Sequence, residues 1–247
     1  MDNPLARKLS HFTRLSASDQ AALDFLARQR VRQVHARHDL IREGDRPEHV
    51  NLILSGWACR YKTLEDGRRQ IIAILLPGDF CDLNIFILRT MDHSMAAITP
   101  VTYAEVSREV LEEVTLKQPR ITQALWWDTL VTAAIQREWS VSLGQRTALE
   151  RVGHILCELF VRLRMVGLTS GNSCEFPITQ VDLADATGLS AVHLNRTLQE
   201  LRADELIVLR DRLLTIPDLP ALQVLSLFNP NYLHLDAEGQ QYGANEP

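Results

Sequence analysis

Residues 178–202 read ITQVDLADATGLSAVHLNRTLQELR, and their polar and apolar side chains separate cleanly by spacing. Leu194, Leu198 and Leu201 recur at helical steps, which leaves Ala191, Val192, His193, Asn195 and Arg196 on the opposite face of the same helix. The chemistry such a face offers is recognition rather than catalysis. A guanidinium at Arg196 can donate two hydrogen bonds to guanine O6 and N7, while Ala191 and Val192 can touch thymine methyl groups. Thr179, Gln180 and Ser190 fall at helix starts, where hydroxyls and free backbone N–H groups suit phosphate oxygens. The expected partner is therefore double-stranded DNA, although a helix–glycine–helix of this kind also occurs as a plain packing corner.

Other reactive residue types form no comparable set. The four cysteines, Cys59, Cys81, Cys157 and Cys174, contain no C-x-x-C pair, so neither a zinc site nor a disulfide framework is expected. A cupin-type metal enzyme would need a His-x-His set with further ligands on barrel strands. His35 and His38 precede that region and only His49 and His93 fall within it. We therefore expect no catalytic residues and no metal. The net charge of −5 argues against a broadly basic nucleic-acid coat, so DNA binding must come from a local patch. No apolar run approaches the ~20 residues that span a membrane, and the N-terminus lacks an uninterrupted apolar core. A cytoplasmic protein is expected.

The surrounding sequence supplies elements to hold that face. Thr179 with Asp182 has the form of a capping box opening a first helix, Gly188 ends it in a left-handed conformation, and Ser190 caps the second. Downstream, Leu206–Leu209 and Leu213–Ile216 read as a two-stranded wing with Arg210 and Arg212 at its tip, either reaching phosphates or forming a solvated turn. Upstream, turn signals at 43–45, 55–56, 66–67 and 77–79 punctuate short runs rich in branched and aromatic residues. These predict an antiparallel β jelly-roll barrel. In WACRYK, Trp57, Cys59 and Tyr61 alternate with Ala58, Arg60 and Lys62, the period of a half-buried strand. Ser18 is the expected cap of an early helix. Between barrel and wing, a long helix over about 119–143 carries two apolar stripes. One comprises Ala124, Trp127, Val131, Ala134 and Val141, the other Ile121, Leu125, Ile135 and Trp139. One stripe is expected on the barrel and one on a partner chain. We take the Trp127 stripe as the dimer seam, although the sequence does not choose between them, and Gly144 as a break. The fold class is α+β. The domains are expected at 1–117 (barrel with N-terminal helices), 118–144 (dimerisation helix), 145–228 (winged helix-turn-helix) and 229–247 (a polar tail, mobile towards its end).

Taken together, Glu43-Gly44-Asp45, Leu52-Ile53-Leu54-Ser55-Gly56, Asp66-Gly67, Pro77-Gly78-Asp79-Phe80 and the 179–202 segment resemble the Crp–Fnr superfamily of bacterial transcription regulators, over about residues 10–220. The resemblance implies homodimers that dimerise through the long helix, bind two-fold symmetric sites and contact RNA polymerase. It matches Arg196 to the arginine that reads guanine, and Ser190, Thr179 and His193 to backbone-contacting positions. Ala191 and Val192 stand where charged base readers are common. It places an effector pocket at Asp82, Leu83, His93 and Ser94. Cyclic-nucleotide-binding members carry Gly-Glu-Leu after Gly-Asp-Phe, and later an arginine before Ser or Thr. This chain has Cys81-Asp82-Leu83 and His93-Ser94, and a largely neutral histidine is a poor phosphate clamp. The departure argues against a cyclic nucleotide, and the missing N-terminal cysteine cluster argues against an iron–sulfur cluster. Haem ligation and thiol sensing at Cys81 have no supporting signal. No cofactor is predicted, and a small-molecule effector, if one exists, is unidentified. A regulatory barrel whose C-terminal domain docks a protein rather than DNA is the alternative.

Overall fold

The computed structural model describes residues 3–83, 85–237 and 239. The chain opens with α1 (Pro4–Leu9) and α2 (Ala17–Ala27), then runs through β1 (Val31–Val34), β2 (Asp39–Ile41), β3 (Val50–Ser55), β4 (Ala58–Thr63), β5 (Arg69–Leu75), β6 (Phe80–Cys81), β7 (Ser94–Ala97) and β8 (Val101–Val106). Helices α3 (Arg108–Lys117), α4 (Pro119–Gln145) and α5 (Ala148–Met165) follow. The remainder is β9 (Thr169–Ser170), β10 (Ser173–Glu175), α6 (Gln180–Thr187), α7 (Ala191–Ala203), β11 (Val208–Arg210), β12 (Leu213–Thr215) and α8 (Leu219–Leu225). Two compact units result. The first comprises the chain up to Tyr61, Ile74–Ala134 and the segment beginning at Leu233; the second comprises Lys62–Ala73 and Ile135–Tyr232.

The N-terminal sheets have strand orders β1-β8-β3-β6 and β2-β7-β4-β5. The pairings β1–β8, β3–β8, β3–β6, β2–β7 and β4–β7 are antiparallel, as a jelly-roll barrel requires. Their core holds Val50, Leu52, Ile53, Cys59, Phe80, Met95 and Ala104. The turn motifs turn out to be structural anchors. Asp79 accepts from the Leu76 N–H and from Lys8, whose ammonium also meets Asp128 on α4, so a half-buried ammonium between two buried carboxylates ties α1 to the barrel and to α4. Gly78 has φ +93, and a Cβ there would lie 2.7 Å from the Pro4 carbonyl oxygen, a contact only glycine tolerates.

Several expectations need correction. The α2 cap is Ser16, not Ser18, because Ser16 accepts from the Asp19 N–H while the Asp19 carboxylate answers at the Ser16 N–H. In β4 the half-buried alternation fails: Ala58, Cys59 and Arg60 are all buried, since Arg60 turns inward to a carboxylate partner. Helix α4 does not break at Gly144 but continues to Gln145, and Thr147 caps α5 with Glu150 completing the box. Residues 230–233 form a turn of 3₁₀ helix with Tyr232 and Leu233 buried, so the start of the tail is packed. The expected mobile end at 240–247 lies outside the described residues.

The dimer seam is corrected at four of its five positions. Ala124, Trp127, Val131 and Ala134 are buried within the single chain, Trp127 stacking on Phe12 at 5.5 Å, so none is free to meet a partner. Ile121, Leu125, Ile135 and Trp139 are buried too. Apart from Val141, both apolar stripes are consumed by packing within the chain. What stays open on α4 is a third line at steps of three and four: Trp126 (64 % exposed), Leu130 (66 % exposed), Ala133, Arg137 and Val141.

Candidate nucleic-acid interface

The second unit builds its reading head from short-range signals. Thr179 caps α6 by accepting from the Asp182 N–H, but the reciprocal arm of the expected box is absent. The Asp182 carboxylate accepts instead from the Thr179 hydroxyl (2.7 Å) and from Arg69 (2.9 Å), both within this unit. Gly188 closes α6 at φ +64, its neighbour Leu189 donating back to the Ala184 carbonyl. Ser190 then caps α7 through the His193 N–H (3.2 Å). Leu194, Leu198 and Leu201 are fully buried and seat α7 on its neighbours. The connection is held further by Arg151 of α5, which donates to the Thr187 carbonyl at 2.7 Å.

Seating those leucines inward leaves Ala191, Val192 (74 % exposed), His193 and Arg196 on an open face. Asn195 is half-buried and donates to Gln180 Oε1 at 3.3 Å, a contact that joins the starts of the two helices. Thr179 is half-buried, whereas Gln180 and Ser190 are exposed. Of the eight residues expected at the interface, six lie in the first turns of α7 or at its cap, and Thr179 and Gln180 lie at the start of α6. The wing exceeds the two strands expected, because its sheet has order β11-β12-β10-β9. At its tip, Asp211 and Arg212 both adopt left-handed backbones (φ 51 and 61), a tight turn that leaves Arg210 and Arg212 exposed.

Behind this head lies a buried polar core. Glu158 of α5, wholly enclosed, accepts from Trp139 Nε1, the Tyr232 hydroxyl and Arg162, and burial pushes its carboxyl above the usual range. His154 stacks on Tyr232 and lies 3.6 Å from Glu138, too far for a hydrogen bond, and Arg146 already claims that carboxylate at 3.0 Å. Burial therefore prevails and holds His154 down at about 3, a neutral imidazole.

In the first unit the expected effector residues come together differently than a ligand pocket requires. Asp82 bridges two partners. It accepts from Arg60 at 2.8 Å and meets His93 Nε2 at 2.9 Å. Ser94 accepts from the Glu43 N–H, and Leu83 is half-buried. Arg60, the cation missing from the sequence-based set, is therefore present in the barrel, but the protein's own carboxylate already occupies it. A cyclic phosphate needs an unengaged cationic clamp, and these residues do not fit one. Cys81 beside them is buried, and desolvation pushes its thiol far above the usual range. Among the described residues no group of three or more His, Cys, Asp or Glu side chains is placed to hold a metal ion. No described helix is long and apolar enough to cross a membrane.

A jelly-roll barrel, a long helix and a winged helix-turn-helix with an open N-terminal face define a DNA-binding transcription regulator. Residues 31–118 match the model of the cyclic nucleotide-binding domain, and residues 150–225 that of the Crp-like helix-turn-helix domain. The chain is 30% identical over 184 residues to the transcriptional activator protein FnrL of Cereibacter sphaeroides, covering 73% of each. It is 31% identical over 223 residues to the nitrogen fixation regulation protein FixK of Azorhizobium caulinodans, covering 84% of this chain and 87% of that one. The solved structure of FixK2 from Bradyrhizobium japonicum superposes with a TM-score of 0.70 at 26% identity, over 79% of this chain and 96% of that. The chain belongs to the Crp–Fnr family of bacterial transcription regulators.

Proposed function

We propose that the protein acts as a homodimer that reads a two-fold symmetric DNA site through the α7 face and regulates transcription by contacting RNA polymerase. The observation that carries this is the face itself: Ala191, Val192, His193 and Arg196 stand clear of the core at the start of a helix, the end that enters a major groove in helix-turn-helix proteins. Arg196 supplies direct base readout. Thr179, Gln180 and Ser190 supply phosphate contacts, and Arg210 and Arg212 extend the cationic surface at the wing tip. A dimer sets two such heads about one helical turn apart, which is why the site should be palindromic. The open Trp126–Leu130 line on α4 supports the dimer, and the names of the relatives support activation of transcription. We further propose that no cyclic nucleotide, metal or iron–sulfur cluster serves as cofactor. The occupied Arg60 supports the first of these, and the four separately buried cysteines the last.

The test is selection of binding sites from random duplex DNA, followed by affinity measurements on wild type and Arg196→Ala. We expect a palindrome with a guanine whose readout is lost in the variant, at a cost of about 5- to 150-fold per half-site, the equivalent of about 1–3 kcal/mol. Affinity should also fall steeply with salt. Full sequence-specific binding by Arg196→Ala, or a flat salt response, would refute the docking and favour a C-terminal domain that docks a protein.

A further inference from the structure

His93 precedes β7 and is almost completely buried, yet both of its ring nitrogens face carboxylates: Nδ1 lies 2.7 Å from Asp92 and Nε2 lies 2.9 Å from Asp82. A neutral imidazole carries one N–H and can satisfy only one of them; the other would set a lone pair against a carboxylate oxygen. Only the imidazolium donates to both. Asp82 lies immediately after β6 in a left-handed backbone (φ 58), a turn conformation that aspartate adopts more readily than most residues, and its carboxylate meets both His93 and Arg60. Arg60 comes from β4, where it pairs in register with Met95 of β7. The charged groups facing His93 are thus Arg60, Asp82 and Asp92, and the Cys81 thiol beside them stays neutral. With His93 protonated the set sums to zero, two cations against two anions. Without the proton the Arg60–Asp82 pair still balances, and the set keeps a net negative charge carried by the exposed Asp92.

We propose that His93 is a proton-operated clasp that fastens the two ends of the excursion between β6 and β7 to the barrel. Protonated, it ties Asp82 at one end to Asp92 at the other. Deprotonated, it can donate to only one of them, so one end of the excursion is let go. The excursion carries Ile87 and Leu88, both exposed, and its residues 86–90 line an open groove of about 920 Å³ together with Arg46 and Arg108. The clasp therefore couples proton concentration to the shape of a surface of the sensor unit. Its pH window follows from the sign: the carboxylates raise the imidazole above its ordinary 6.5 against the opposing pull of burial, so the closed state is complete below that pH and is lost as pH rises through the higher, folded value.

Two measurements test this on the full chain. The first is the ring titration of His93 by NMR, assigned with His93→Gln. Its midpoint should lie above 6.5 in wild type and drop in Asp92→Asn, which keeps an oxygen acceptor but removes the charge. Because Asp92 is largely exposed, this substitution leaves the fold intact and high salt should shrink the effect. The second is trypsin cleavage after Arg89, an exposed site within the excursion, normalised to a reference peptide at each pH. Between pH 6 and pH 8.5 the normalised rate should rise about five-fold in wild type and stay flat in His93→Gln. A midpoint at or below 6.5, a midpoint indifferent to Asp92→Asn, or a pH-dependent rise that persists in His93→Gln would each overturn the proposal.

Discussion

Truncating Leu130 to alanine separates the two accounts of the long helix, because its effect differs in kind from truncating a buried neighbour. Leu130 is 66 % exposed in the single chain, so about two-thirds of the ~1.5–3 kcal/mol for burying a leucine is still to be gained at an interface, or about 1–2 kcal/mol per protomer. A two-fold seam contains the residue twice. Leu130→Ala should therefore weaken the dimer by about 2–4 kcal/mol, a rise in Kd of about 30- to 700-fold. The monomer loses almost nothing, since the side chain supports little of its core. Val131, one residue on, is 4 % exposed, and Val131→Ala should leave a void inside the chain and lower the thermal midpoint instead. Sedimentation velocity over a range of concentrations, with thermal unfolding of both variants alongside, reads the two effects separately. If Leu130→Ala leaves the dimer Kd unchanged, or Val131→Ala dissociates the dimer at constant thermal midpoint, the seam does not run along the exposed line.

Two further expectations follow from buried groups. His154, held at about 3 by burial and by the nearby Arg146, titrates near 6.5 once unfolded, so its contribution to stability is present above pH 6.5 and is lost as pH falls towards 3. Urea unfolding should show about 2 kcal/mol less stability at pH 5 than at pH 7 from this group alone, a loss that His154→Gln abolishes. An unchanged pH profile in the variant would mean that the imidazole is already charged in the fold. Cys59, Cys81, Cys157 and Cys174 are all buried, with Cys157 and Cys174 pushed up to about 12. A thiol-specific alkylating reagent at pH 8 should label none of the four in the native protein and all of them in denaturant, as read by mass spectrometry. Rapid native labelling of Cys81 would reopen thiol sensing.

The elements most legible in the sequence are those specified by neighbours a few residues apart. The Ser190 cap and the Gly188 terminus depend on contacts within four residues, and Leu194, Leu198 and Leu201 on one helical period, so the whole reading head is readable from about twenty-five positions. The long helix was equally visible as a helix, but the use of its faces was not. Apolar periodicity marks what is buried without saying against what. Here the first unit covers the Trp127 stripe with Phe12 and the second covers Trp139 with Glu158, which left a face bearing Trp126 and Leu130 that the stripes did not flag. The only signal in the sequence was the surplus of large apolar residues: three stripes on one helix are more than one chain needs.

Arg60 marks the physical limit more sharply. Alternation along WACRYK assigns it to the outer face, and by local pattern alone that is the sound reading. It is overturned by Asp82, twenty-two residues away, whose carboxylate makes an inward guanidinium affordable. Charge compensation of this sort leaves no periodic trace, since either partner alone reads as a surface residue. The same holds for Lys8, which looks like part of an exposed basic run until Asp79 and Asp128 are set beside it. A sensor built from such pairs can change its input without changing its strand pattern. At Arg60 an internal carboxylate satisfies the guanidinium, and the same carboxylate meets the neighbouring His93. The DNA-reading half must stay locally encoded because its helix has to present side chains at fixed steps to a regular groove. The sensing half has no such external ruler, and its chemistry is written in contacts between residues that only the fold brings together.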